Sequence, residues 1–128
     1  MNKTILIVED EQAIADSIAY ALRTEGFTPL HVTLGEQALA AMQAQPAPLL
    51  VVLDVGLPDM SGDALARMLR DMPATRDTVL VAVTGYGQPA DRDHSLAAGI
   101  DHHFVKPVDG SALIELLASV AQRKRAMD

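Results

Sequence analysis

Four runs of apolar residues in this chain each stop abruptly at a polar or charged side chain, and the segments between them carry helical periodicity. Thr4-Ile5-Leu6-Ile7-Val8 stops at Glu9-Asp10-Glu11, Leu49-Leu50-Val51-Val52-Leu53 at Asp54, Val79-Leu80-Val81-Ala82-Val83 at Thr84-Gly85, and His103-Phe104-Val105 at Lys106-Pro107. Short runs without polar alternation form strands covered on both faces. A weaker strand is expected at Thr28–Val32. Ile14, Ile18, Ala21 and Leu22 predict a helix over Gln12–Thr24, which Gly26 ends. A second helix is expected over Glu36–Gln45, stopped by Pro46 and Pro48. A third covers Gly62–Asp71, capped by Ser61, with Leu65, Met68 and Leu69 inward and Pro73 forcing a break. The last two run from near Pro89 to Gly99 and over Gly110–Gln122, the latter with Leu113, Leu116, Leu117 and Val120 on one stripe.

Strands alternating with helices imply a parallel sheet covered on both faces, because right-handed crossovers place helices on each side. The expected fold is α/β: a flavodoxin-like, doubly wound, five-stranded parallel sheet in the order 2-1-3-4-5 with five helices. One domain spans residues 1–128, with a core of about 3–122. Open sheets of this kind bind ligands beyond the carboxyl ends of their strands, at the switch point between the first and third. Those two strands end in acid here. Glu9, Asp10, Asp54, Thr84 and Lys106 should therefore converge, and three carboxylates, a hydroxyl and an ammonium suit a phosphoryl acceptor dependent on Mg2+ or Mn2+.

The net charge of -7 and a pI near 4.9 argue against a nucleic-acid surface, which needs clustered Lys and Arg. The basic run Arg123-Lys124-Arg125 reads as the complement of a helix carboxyl terminus. Zero cysteines remove disulfides, thiol catalysis and cysteine metal sites. Met1-Asn2-Lys3 is not followed by an apolar stretch long enough for a signal peptide or a membrane span. A cytoplasmic domain without membrane contact is the expectation.

The segments Ile5-Leu6-Ile7-Val8-Glu9-Asp10-Glu11, Asp54-Val55-Gly56-Leu57-Pro58-Asp59-Met60-Ser61-Gly62, Val83-Thr84-Gly85 and Val105-Lys106-Pro107 together resemble the receiver domain of two-component response regulators. The resemblance covers the chain from about Lys3 to Gln122. It implies that Asp54 takes a phosphoryl group from a histidine kinase or a histidine phosphotransfer domain. It makes Glu9, Asp10, Asp54 and the backbone carbonyl of Gly56 the metal ligands. Lys106 would contact a phosphoryl oxygen, the Lys106–Pro107 bond would be cis, and the Thr84 hydroxyl would move onto the phosphoryl group. Each residue also has a plainer reading. Glu9 to Glu11 could favour a helix amino terminus, Asp54 could cap a turn, Lys106 could be a surface side chain, and Thr84 could sit there for β propensity.

His103, three residues before Lys106, stands where many receivers carry Tyr or Phe. It is either a weaker, titratable switch partner of Thr84 or a packed histidine. His31, His94 and His102 read as surface residues. Gly56 has no side chain to shield or orient a water, and Tyr86 either covers the phosphoryl group or is an ordinary loop residue. The stretches Val83–Gln88 and Gly99–Val108 are similar to receivers of hybrid sensor histidine kinases, which implies a phosphorelay role with an unnamed downstream protein partner. With only a few residues after the last predicted helix, a stand-alone or excised receiver domain without an output domain is the expectation. Such a chain catalyses only its own phosphorylation and dephosphorylation. Two rivals differ in sequence. A flavodoxin-like small-molecule binding module wants a Ser/Thr/Gly-rich loop where Glu9-Asp10-Glu11 stands. An aspartyl-phosphate phosphohydrolase wants an acid where Gly56 stands.

Overall fold

The computed structural model describes residues 3–43, 47–85 and 97–127. Its strands are β1 (Thr4–Val8), β2 (Thr28–Val32), β3 (Leu50–Asp54), β4 (Val79–Thr84) and β5 (His102–Val105). They form one sheet in the order β2-β1-β3-β4-β5, with every neighbouring pair parallel, as the alternation of strand and helix signals predicts. Among the described residues there are four α-helices: α1 (Gln12–Thr24), α2 (Gly35–Ala41), α3 (Gly62–Asp71) and α4 (Gly110–Met127). Of the helix expected from Pro89 to Gly99, residues 97–98 are helical, and its start lies outside the described residues. Tyr86 and His94 lie outside them too.

Burial on both faces explains the unbroken apolar runs. Ile5, Ile7, Leu50, Val52, Val81 and Val83 pack under α1 and α4, against Ile18, Leu22, Leu113 and Leu117. Leu6, Val8, Val51, Leu53, Leu80 and Ala82 face the other way, under α2 and α3, against Ala38, Met42, Leu65 and Leu69. Truncating one of these leucines to Ala would cost about 2–5 kcal/mol. Met68, expected inward, is exposed instead. Gly62, Leu65, Ala66 and Leu69 form the buried stripe of α3, and at about 100° per residue Met68 lies well to one side of it.

Local signals set most element ends. Gly26 has φ 84°, and its N–H donates to Arg23 O while the Phe27 N–H donates to Leu22 O at 3.0 Å, closing α1 in a glycine-dependent cap. Ser61 Oγ accepts from Ala64 N at 3.1 Å and starts α3. Strand β3 runs one residue later than its apolar run, because Asp54 still pairs with Val83 of β4. Helix α2 is shorter than the spacing predicted, and α4 continues through the basic run to Met127.

Arg70 fastens the amino ends of β4 and β5. Its Nε and Nη2 donate to Gly99 O at 3.0 and 2.7 Å, and its Nη1 donates to Arg76 O and Thr78 O at 2.7 and 2.5 Å. Nη2 also meets Asp101 Oδ2 at 2.7 Å, and that oxygen accepts from Leu80 N at 2.9 Å.

Candidate functional site

The carboxyl ends of β1 and β3 lie side by side, so Glu9 and Asp54 arrive together by register alone: Val8 pairs with Leu53. Asp54 is the last residue of β3 and Glu9 follows the last residue of β1; both are buried. Asp10 is the next residue along, exposed at a bend. Oxygen atoms of Glu9, Asp10 and Asp54 all lie within 4.8 Å of one another.

Gly62 makes this geometry possible from below. A Cβ there would stand 2.8 Å from Asp54 O, Leu53 Cδ1 and Val55 Cα, so only glycine lets α3 start this close to the end of β3. The connecting loop is pinned at its far end by Asp59. Its two carboxylate oxygens accept from Gly35 N at 2.9 Å and Glu36 N at 3.1 Å, capping α2. Those two amides hold the Asp59 carboxyl below its ordinary range. Gly56 is different: among the described residues nothing lies within 4 Å of where its Cβ would be. Its amide donates to Asp54 Oδ1 at 3.1 Å.

One cation enters the cluster. Lys106 Nζ lies 2.9 Å from Glu9 Oε1, 3.3 Å from Asp54 Oδ2 and 3.7 Å from Glu11 Oε1. Its backbone N–H donates to Thr84 O at 2.8 Å, and its bond to Pro107 is cis, as the resemblance implied. Burial alone would lower the Lys106 ammonium; the hydrogen bond to Glu9 and the charges of Asp54 and Glu9 outweigh it and hold it above its ordinary value. Burial also pushes the Glu9 carboxyl up, to about 7, and its hydrogen bond to Asp54 adds to the rise while Lys106 and the Glu11 amide oppose it. Asp54 goes the other way. Burial raises it, but the hydrogen bond from Glu9, the Gly56 amide and Lys106 together hold it below the ordinary carboxylate value. Of the two carboxyls, Glu9 therefore holds a proton more readily than Asp54.

The donor set fits a hard divalent cation, which takes carboxylate oxygens and keeps several waters. Crowded carboxylates are stabilised by such an ion, since among the described residues the one ammonium that reaches them does not balance them.

Thr84 ends β4 and is buried. His103 pairs with Ala82 in register, and side chains two apart on a strand share a face, so Thr84 and His103 lie on the same face of the sheet. Two of the histidines expected at the surface are partly buried: His102 in β5, and His31, whose Nε2 lies 2.7 Å from Glu9 O. Sequence reasoning missed His31, Asp59 and the approach of Glu11 to Lys106. The order of β2 beside β1 was the available signal for His31, because it places residue 31 next to the end of β1.

The profile described as the response regulator receiver domain matches residues 5–118. The chain is 33% identical over 125 residues to the phosphate regulon transcriptional regulatory protein PhoB of Rhizobium meliloti, covering 98% of this chain and 55% of that protein. It is 37% identical over 120 residues to the sensory transduction protein RegX3 of Mycobacterium tuberculosis, covering 94% of this chain and 51% of that protein. The chain thus spans about half the length of the curated relatives it matches. Among solved structures, the CheY-like receiver domain from Methylobacillus flagellatus superposes with a TM-score of 0.81 at 32% identity, covering 94% of this chain and 99% of that one. The signal receiver domain of a signal transduction histidine kinase from Syntrophus aciditrophicus superposes with a TM-score of 0.82 at 30% identity, covering 92% and 89%.

Proposed function

The chain belongs to the response regulator receiver domain family, and from that premise we propose that Asp54 accepts a phosphoryl group from the phosphohistidine of a histidine kinase or phosphotransfer domain. The observation that carries this reading is Asp54 itself, its carboxyl held below the ordinary value at the end of β3, beside a space over Gly56 that no described residue fills. An Asp54 oxygen attacks phosphorus, the bond from phosphorus to the donor imidazole nitrogen breaks, and the electron pair stays on that nitrogen. The product is an acyl phosphate on Asp54.

Glu9, Asp10 and Asp54 would hold Mg2+ or Mn2+, with the Gly56 carbonyl as a further ligand by family analogy. An ion held there would neutralise charge on the phosphoryl oxygens. Lys106 supplies a second positive charge, already 3.3 Å from Asp54 Oδ2. The Gly56 amide fixes one carboxylate oxygen and so orients the nucleophile. The Thr84 hydroxyl turns onto the phosphoryl group, and His103, on the same face, follows it as the switch residue. We place the chain in the cytoplasm, acting only on its own phosphorylation state, and passing the signal to a protein partner. Among the described residues no helix is long and apolar enough to cross a membrane.

Incubating the protein with labelled acetyl phosphate and Mg2+ should give acid-labile incorporation that base and hydroxylamine also release, as expected of an acyl phosphate. Asp54→Asn or chelation of the metal should abolish it. Undiminished labelling of Asp54→Asn would move the acceptor elsewhere and overturn the reading.

A further inference from the structure

The ladder between β1 and the edge strand β2 ends at the site. Its last backbone rung carries the Glu9 N–H to Val32 O at 3.0 Å. In a parallel ladder the next rung would carry the Leu34 N–H to Glu9 O. That N–H goes elsewhere. Leu34 N donates to Gln37 Oε1 at 3.1 Å, and Thr33 N and Thr33 Oγ1 donate to the same oxygen at 3.0 and 3.2 Å. The start of α2 has thus taken the donor that would have served the end of β1, and a carbonyl in this setting needs a replacement.

His31 provides it. Its Cα pairs with Ile7, two residues before Glu9, and its ring reaches along the sheet to place Nε2 2.7 Å from Glu9 O. A carbonyl oxygen only accepts, so the imidazole proton sits on Nε2. The Glu9 carbonyl belongs to the rigid peptide plane that joins Glu9 to Asp10. Anchoring that oxygen fixes the last backbone angle of Glu9 and the first of Asp10. The buried Glu9 side chain has Lys106 and the Glu11 amide to orient it besides. Asp10 is exposed at a bend, and its backbone, from which the carboxylate projects, follows that plane.

We infer that His31 is a positioning residue for the divalent-cation site, a side-chain rung that aims Asp10, and with it Glu9, at the ion. The inference rests on the proposal that these carboxylates hold a cation, and it adds a group on β2 that lies outside the cluster. Partners that orient metal ligands typically matter at the level of affinity rather than of fold.

The test is Mg2+ titration of the whole chain, followed by calorimetry and by backbone amide shifts, for the parent, His31→Leu and His31→Gln. Leu fills the space without a donor; Gln keeps an N–H at the end of the side chain. The Leu variant should bind Mg2+ roughly tenfold more weakly and the Gln variant within about threefold of the parent. Imidazole 15N shifts of the parent should place the proton on Nε2. The inference is overturned by a Leu variant that binds as the parent does, by a Gln variant as weak as Leu, or by a proton on Nδ1. If the Leu variant does not fold, the Gln affinity and the tautomer decide. A parent chain that takes up no Mg2+ overturns the cation reading itself, whereas parental binding matched by His31→Leu overturns this inference alone.

Discussion

The two ends of the sheet both draw charge away from water and treat it in opposite ways. At the amino ends of β4 and β5, Arg70 makes five hydrogen bonds, to three backbone carbonyls and to Asp101, and a guanidinium has five N–H donors to give. At the carboxyl ends of β1 and β3, one ammonium meets Glu9, Asp54 and Glu11, with Asp10 alongside. The first cluster is satisfied, and its consequence is a fixed position for the strands. The second, among the described residues, is short of positive charge, and burial beside Asp54 pushes its Glu9 carboxyl up to about 7. A balanced cluster fastens the fold, while an unbalanced one has affinity left over for a cation and a phosphoryl group.

That contrast can be broken first at Arg70. Arg70→Ala leaves the carbonyls of Gly99, Arg76 and Thr78 and the Asp101 carboxylate short of a donor. The side chain is partly exposed, so about 2–3 kcal/mol of stability should be lost, a fall in Tm of roughly 10 °C. Mg2+ affinity should stay where it was. An unchanged Tm would show that the clamp does not hold the strands, and a large loss of Mg2+ affinity would show that the two ends are coupled.

Two glycines sharpen the comparison within the acidic end. Gly62→Ala forces a methyl onto Asp54 O and Val55 Cα and should cost about 1–3 kcal/mol, seen in chemical denaturation. Gly56→Ala puts the same methyl into open space and should stay within about 0.5 kcal/mol. Equal costs would mean that the close approach of α3 to β3 is not what carries the loop.

Glu9, buried beside Asp54, gives the acidic end a pH signature. Its folded value of about 7 lies above the ordinary 4.5, so the native state holds the proton more tightly than the unfolded chain. The stabilisation is complete below pH 4.5 and is lost as pH rises towards 7. Metal-free protein should therefore lose stability across that window, and Glu9→Gln should flatten the loss. Because the ion displaces that proton, Mg2+ should bind more weakly at pH 6 than at pH 8. A metal-free stability that climbs over the same window would refute the assignment.

Much of this was legible in the sequence because it follows from periodicity and order. Apolar runs that end in acid mark β1 and β3, and their parallel pairing brings Glu9 and Asp54 together without further information. The limits of α1 and α3 were legible for the same local reason: Gly26 and Ser61 act on their own helix ends. Contacts across distant segments were not. Asp59 caps a helix that begins 24 residues earlier, and Arg70 reaches Gly99 and Asp101, which lie 29 and 31 residues on. His31 read as a surface histidine because its role depends on a rung that Gln37 diverts, and no single segment records that diversion.

The account stands most directly on Asp10→Asn, measured by thermal unfolding with and without Mg2+. Removing one negative charge from an under-compensated cluster should raise the metal-free Tm by about 2–4 °C. The parent, at Mg2+ about tenfold above its Kd, should gain about 1.4 kcal/mol, and the variant should gain far less. A metal-free Tm that falls on this substitution, together with an undiminished response to Mg2+, would contradict the claim that these carboxylates crowd one another in order to hold a cation.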